Sequence, residues 1–193
     1  RVLFRSRVYS EWLYRANPAG PAKMVRIVEE GRWIAFMGMI PVDLLAGTHP
    51  LPGFFVVNVL VHPQHQGRFL FGRMVTEAKR FVGDQMVLMG HPNALALKTW
   101  QRARMIFQPD WRPFLFLPGW RGFGYTAEDI SAAASLEGLF PSGIFSPGEP
   151  EGIRQRMDVP FLRWRFFEQP FQTYRIQLLR FEERPVGLLI SRR

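Results

Sequence analysis

The stretch Leu60-Val61-His62-Pro63-Gln64-His65-Gln66-Gly67-Arg68-Phe69-Leu70-Phe71-Gly72-Arg73-Met74-Val75 carries an apolar strand through Pro and Gly into a helix. The run Phe54 to Val61 reads as a buried strand, and apolar Leu70, Met74, Ala78 and Phe81 recur at helical spacing, predicting a helix from about Leu70 to Val82. A helix start leaves its first amides unpaired and carries partial positive charge, so a pyrophosphate can rest there with little help from side chains. Arg68 and Arg73 add full charges nearby, and His65 lies in the loop as a further phosphate contact.

On these residues the loop resembles the coenzyme A loop of the GNAT acyltransferase superfamily, which reads Gln or Arg, two residues, Gly, one residue, Gly or Ala. Gln64 and Gly67 fill the first two places, and Gln66 stands where many members carry Arg. Phe69 stands where a Gly or Ala is expected. A missing side chain there lets backbone approach phosphate closely, so a Phe must swing away or block the ligand. Residues Gln85 to Gly90 form a second short apolar strand, followed by His91-Pro92-Asn93 and a helical stretch Ala94 to Arg104. This is similar to the family's pattern after its fifth strand, with Asn93, Ala96 and an aromatic at Trp100. The resemblance implies that Asn93 and Ala96 contact the coenzyme's arm, and that Trp100 sits where many members carry a Tyr that protonates the departing thiolate. An indole has only an N–H and cannot be that acid. The family's closing Gly-Phe is replaced by Arg104-Met105, and Pro92-Asn93 resembles a subgroup of bacterial GNAT proteins, some linked to polysaccharide synthesis.

The chain also resembles itself. Trp12, Tyr14, Asn17 and Pro18 recur as Trp164, Phe166, Gln169 and Pro170, each pair 152 positions apart (164 − 12, 170 − 18). After each copy comes a strand and a charged turn, Glu29-Glu30-Gly31-Arg32 leading into Trp33 to Ile40, and Glu182-Glu183-Arg184-Pro185 leading into Val186 to Ile190. Both read as hairpins. The separation is that of a duplicated domain, since solenoid periods run to about 20–50 residues. Tandem GNAT domains occur in the superfamily. The expected organisation is therefore a non-native leader over 1–6, a GNAT-like domain over 7–124 with a strand near Phe114 to Leu117, a linker over 125–157 with a short helix after Glu128-Asp129, and an incomplete second GNAT-like domain over 158–193. On that reading the chain is a fragment.

Composition sets the bounds. About half of the 193 residues are hydrophobic (47%), enough for one good core. No apolar stretch approaches the roughly 20 residues that span a bilayer. Without cysteine there is no disulfide, thiolate nucleophile or sulfur-ligated zinc, and the four histidines are too dispersed to suggest a metal centre. A cytoplasmic location is expected. The net charge of +9 rests almost wholly on arginine, with only Lys23, Lys79 and Lys98 as lysines, and falls to +7 without Arg1 and Arg5. Such a field concentrates an anion like coenzyme A at a cleft, and it also suits tRNA or other nucleic acid. Arg163-Trp164-Arg165-Phe166-Phe167 has the residues to stack bases, but its place in the repeat favours a helix with Trp164 and Phe167 turned inward.

The fold expected is α/β (α+β), a GNAT-like mixed but mainly antiparallel sheet flanked by helices, plus the opening of a second copy. The function the resemblance implies is acyl-CoA-dependent N-acyltransfer, with acetyl-CoA or another acyl-CoA as donor and a small amine or amino sugar as acceptor. The acyl carbonyl would be polarised by the backbone N–H of Leu60 or Val61, with Gln64, Gln66, Gly67, Arg68, Phe69 and Leu70 around the phosphates. A thiol's reference pKa near 8.5 makes the thiolate a tolerable leaving group, so losing a general acid handicaps the reaction by on the order of 10²- to 10⁴-fold without forbidding it. His91 and His62, each at a strand end, are the candidate bases, and Asn58 reads as a hydrogen-bonded core residue or a substrate contact. Two other functions fit the same residues: a non-catalytic GNAT-fold domain of a tandem protein, and an aminoacyl-tRNA-dependent transferase.

Overall fold

A computed structural model describes residues 6–106, 124–139 and 152–192. In chain order they form α1 (Arg7–Tyr14), β1 (Lys23–Glu29), β2 (Arg32–Ala46), β3 (His49–Val61), α2 (Leu70–Val82), β4 (Val87–Gly90), α3 (Ala94–Arg102), β5 (Tyr125–Asp129), β6 (Ile153–Gln155), α4 (Val159–Leu162), β7 (Tyr174–Phe181) and β8 (Arg184–Arg192). The chain divides into two compact units, Leu13–Pro109 with Glu151–Gln155, and Arg1–Trp12 with Asp110–Pro150 and Arg156–Arg193.

The first of these contains a five-stranded sheet in the order β1-β2-β3-β4, with β6 pairing the far end of β2. All its ladders are antiparallel except β3 with β4, whose parallel pairing needs a crossover that α2 supplies. Leu70, Met74, Val75, Ala78 and Val82 fall on one face of α2 and are buried, because that stripe meets Met37, Met39, Phe54 and Val56 from alternate positions of β2 and β3. Gly83, at φ 60°, ends the helix by returning its N–H to Lys79. The bounds expected for α2, Leu70–Val82, are those observed, and β3 ends at Val61 as expected but begins at His49 rather than Phe54, whereas α3 stops at Arg102 and Arg104 turns left-handed (φ 56°) where no glycine marks the end.

The other unit pairs β5, β7 and β8 in one antiparallel sheet over buried Leu136, Leu162, Trp164, Ile176 and Leu178. The stretch 125–157, expected as a linker, holds a strand near each end. Tyr125–Asp129 is a strand, held by Arg175 on Asp129 (3.0 and 3.1 Å) and Arg180 on Glu128 (3.4 Å), and Ile153–Gln155 is the strand that joins β2. The acidic pair that looked like a helix start is half of a cross-strand charge ladder whose arginines lie some 50 residues away. The short helix expected next is a 3-10 turn at Ala133–Leu136. The strand expected near Phe114 lies outside the described residues, as does nearly all of the leader.

α4 continues into one wide helical turn, Arg163–Phe167, closed by the Glu168 N–H on the Arg163 carbonyl. Trp164 is buried and Phe167 half-buried. In the same unit the Trp12 and Trp164 rings stack with centroids 5.0 Å apart, and each indole N–H donates to the other residue's backbone carbonyl, at 2.9 and 3.0 Å.

The β1–β2 and β7–β8 hairpins agree in detail. Adding 152 to each pair from Lys23↔Met39 to Glu29↔Arg32 reproduces the pairs from Arg175↔Ser191 to Phe181↔Arg184, including a bulge between Ile27 and Val28 in one and Leu179 and Arg180 in the other. Both turns are left-handed at both central residues, Glu30 and Gly31 (φ 50° and 74°) and Glu182 and Glu183 (φ 47° and 65°). Shortly past each helical segment the side-chain oxygen of Asn17 or Gln169 accepts the N–H of Ala19 or Phe171.

Candidate functional site

Pairing between β3 and β4 runs from Gly53↔Val87 to Val56↔Gly90 and ends there, while β3 continues to Val61. Among the described residues no strand takes β4's place along Val57 to Val61, so one edge of β3 is left open. The edge begins at a bulge. Gly38 faces Val57 and Phe36 faces Leu60, which sets Asn58 and Val59 against Met37 alone, with Asn58 at φ 50°. A left-handed asparagine is tolerated better than most residues, and a bulge re-aims the strand that carries it. At the strand's end the His62 N–H donates to Ile34 of β2 at 2.8 Å. Antiparallel alternation therefore turns the Val61 amide the other way, to the open edge, and the Leu60 amide toward β2. Of the two amides suggested by the sequence, Val61 is the one that faces the gap. Its carbonyl receives the Gln66 side-chain amide at 3.5 Å.

The loop follows at once. Pro63–His65 make a 3-10 turn, Gly67 is left-handed (φ 84°), and Phe69 caps α2 in the left-handed region (φ 55°) with no side-chain bond to the helix start. Phe69 is 74% exposed, while Leu70 is buried. Gln64 is exposed. Arg68 forks onto Glu29 at the end of β1, both contacts at 2.8 Å, and His65 Nδ1 lies 2.7 Å from Arg68 and 3.2 Å from Glu29. Hydrogen bonding from Arg68 holds the Glu29 carboxyl below its ordinary range.

The second motif lies beyond β4. Asn93 is the N-cap of α3, accepting the Ala96 N–H at 2.9 Å, and Ala96 is half-buried. His91 follows Gly90 with its ring edge-on to Phe55 at 5.1 Å, and His62 closes β3 with its ring 5.5 Å from that of His65. The two histidines thus stand at the ends of adjacent strands. Trp100 is 4% exposed, edge-on to Phe71 at 5.6 Å within the apolar cluster under α2, so its indole belongs to the core.

One component was not singled out from the sequence. The Tyr14 hydroxyl, at the end of α1, accepts the Asn58 side-chain N–H at 2.7 Å, directly on the bulge. Burial pushes the Tyr14 phenol up, with the Asn58 bond opposing, so at neutral pH it keeps its proton. Asn17 anchors the following turn by donating to Pro41 O at 2.9 Å. The available signal was the repeat itself, in which Tyr14 corresponds to Phe166, a difference of one hydroxyl.

No group of three or more histidine or acidic side chains among the described residues is placed to hold a metal, and no described helix is long and apolar enough to cross a membrane.

No protein-family model matches the chain, and no curated protein sequence does. Solved structures do. Saccharomyces cerevisiae N-myristoyltransferase with bound myristoyl-CoA is similar over 93% of this chain and 49% of its own, at 15% identity and a TM-score of 0.50. Glucosamine-6-phosphate N-acetyltransferase from Arabidopsis thaliana (13% identity, 49% of this chain and 67% of that one, TM-score 0.40) and a predicted acetyltransferase with acetyl-CoA from Clostridium acetobutylicum (14%, 49% and 64%, TM-score 0.37) match a smaller part. The chain spans about half the length of the yeast enzyme. With its mainly antiparallel sheet, its one parallel pair parted at a bulge and the loop-to-helix unit at that parting, the chain has the fold of the GNAT acyltransferases.

Proposed function

We propose that this chain is part of an acyl-CoA-dependent N-acyltransferase, with residues of the Leu13–Pro109 unit as the donor site and β7–β8 as the opening of a second copy of the same domain. The observation that carries the reading is the open edge of β3. A thioester laid along it meets the backbone amide of Val61, which no strand among the described residues pairs, and, one loop further on, the amides at the start of α2, with Gln64, Gln66 and Gly67 between. On this reading the exposed Phe69 ring stays clear of that path. The shared register of the two hairpins supports the duplication.

The reaction is direct attack. The amine nitrogen bonds to the thioester carbon, the C–S bond breaks, and the electron pair leaves with the coenzyme's sulfur. The Val61 amide donates to the carbonyl oxygen as it gains charge. His91 and His62, at the two strand ends, are the candidates to take the amine's proton. Trp100 gives no proton, so the thiolate leaves as such or is protonated by water. The acceptor is a small amine or amino sugar.

The test is the melting temperature of the chain with acetyl-CoA and with myristoyl-CoA, beside a Gly67→Asp variant. A ligand at 100 times its Kd adds about 2.7 kcal/mol, a rise of roughly 5–10 °C for a domain of this size. A rise that the variant abolishes supports the loop as the donor site. No rise with either thioester at millimolar concentration refutes the reading. Binding without turnover against a panel of amines would favour the non-catalytic domain, for which the burial of Trp100 speaks.

A further inference from the structure

Three departures from ordinary backbone and packing meet at one point in the Leu13–Pro109 unit. Asn58 is left-handed in the middle of a strand, and such strained positions cluster at functional sites. Its side chain is tied to the Tyr14 hydroxyl at 2.7 Å. The Tyr14 ring in turn occupies space that only a glycine leaves, since a Cβ on Gly38 would stand 2.9 Å from the ring and 3.1 Å from the hydroxyl. The β7–β8 hairpin serves as an internal reference, because it repeats the pairing, bulge and turn of β1–β2 and yet carries Phe166 and Ile190 where Tyr14 and Gly38 stand. The hairpin register is thus made without the hydroxyl and without the glycine. Tyr14 and Gly38 are features of the site, and they converge on the bulge from which β3 diverges from β4.

We propose that Tyr14 is a positioning residue of the acyl-transfer site: through Asn58 it locks the β3 bulge in register, so that the Val61 amide faces the thioester carbonyl. This rests on the acyl-CoA reading above. A bulge of two residues against one can slip by a residue or straighten, and either change turns the following amides to the opposite edge. The Tyr14 oxygen prevents this by fixing the asparagine side chain on the face away from α2, where a phenylalanine would leave it unheld.

The probe is [1-13C]acetyl-CoA, whose bound carbonyl resonance moves downfield when a backbone N–H polarises it, and the protein is the full chain. The wild type is expected to shift the resonance on binding. In Tyr14→Phe the affinity by calorimetry should stay within about twofold while roughly half or more of the shift is lost, since the coenzyme's contacts remain and only the carbonyl's donor moves. Asn58→Ala should match it and the double variant should add nothing further, the signature of two residues acting as one unit. Phe166→Tyr should leave the shift unchanged. A full shift in Tyr14→Phe, or a wild type that binds acetyl-CoA with no shift, overturns the proposal while leaving the donor site standing. A wild type that gives no binding heat overturns the acyl-CoA reading and this proposal with it.

Discussion

Where the β7–β8 hairpin is compared with β1–β2, three differences stand out from an otherwise common register: Phe166 in place of Tyr14, Ile190 in place of Gly38, and Phe181 in place of Glu29. The residues they share, the tryptophans, the asparagine or glutamine turn and the left-handed corner, are those that build a hairpin behind a helix. The three named differences all touch the bulge or the loop in the Leu13–Pro109 unit. Tyr14 ties Asn58, Gly38 makes room for Tyr14, and Glu29 holds Arg68. Two segments with the same backbone pairing thus separate what the fold requires from what one site requires, a separation that a single copy does not permit.

The comparison is broken most severely at the tryptophans. Trp12→Ala and Trp164→Ala should each destabilise the chain by about 3–5 kcal/mol, because a large buried ring is lost and a cavity remains. Since each indole also bonds the other's carbonyl, the double variant should cost clearly less than the sum. Denaturant unfolding of the three variants checks both statements, and additive losses would mean that the pair is not a coupled unit.

A smaller effect sharpens it at the turns. Glu183 adopts at φ 65° the conformation that Gly31 adopts at 74°, and a Cβ at Gly31 would meet nothing within 4 Å, so the difference is one of backbone conformation alone. Glu183→Gly should stabilise its hairpin by about 0.5 kcal/mol, and Gly31→Glu should cost about 1 kcal/mol. Thermal melts of the two exchanges should move in opposite directions.

The smallest effect is electrostatic. The folded-state pKa of Glu29 is depressed by Arg68, so its contribution is present above the unfolded value near 4.5 and is lost as pH falls through the lower folded value. The wild type should therefore lose stability below about pH 4.5 more steeply than Glu29→Gln, and salt should narrow the difference because the pair is exposed. Phe181→Ala, at the matching place in the other hairpin, keeps Glu29 and should differ from the wild type by an amount that does not change over this pH range.

Much of the architecture was legible in the residues. The strand ending at Val61, α2 from Leu70 to Val82 and both hairpin turns follow from apolar periodicity and turn chemistry, which are local. Tyr125–Asp129 was not legible, because its acidic residues read as a helix start until Arg175 and Arg180 supply partners from far along the chain. Nor was the destination of Arg68, which looked free for phosphate beside Gly67 and pairs instead with a carboxylate 39 residues earlier.

The sequence by itself determined the periodicities, the glycine and proline punctuation, the charge, and a repeat at 152 residues, all of which depend on neighbours within a few positions or on comparison of the chain with itself. Only the tertiary structure decided that Trp100 is core, that Phe69 is exposed, that β3 bulges at Asn58 and that Tyr14 reaches it. Those outcomes depend on which strands pair and in which register, and a bulge is a mismatch between two strands that neither strand encodes alone.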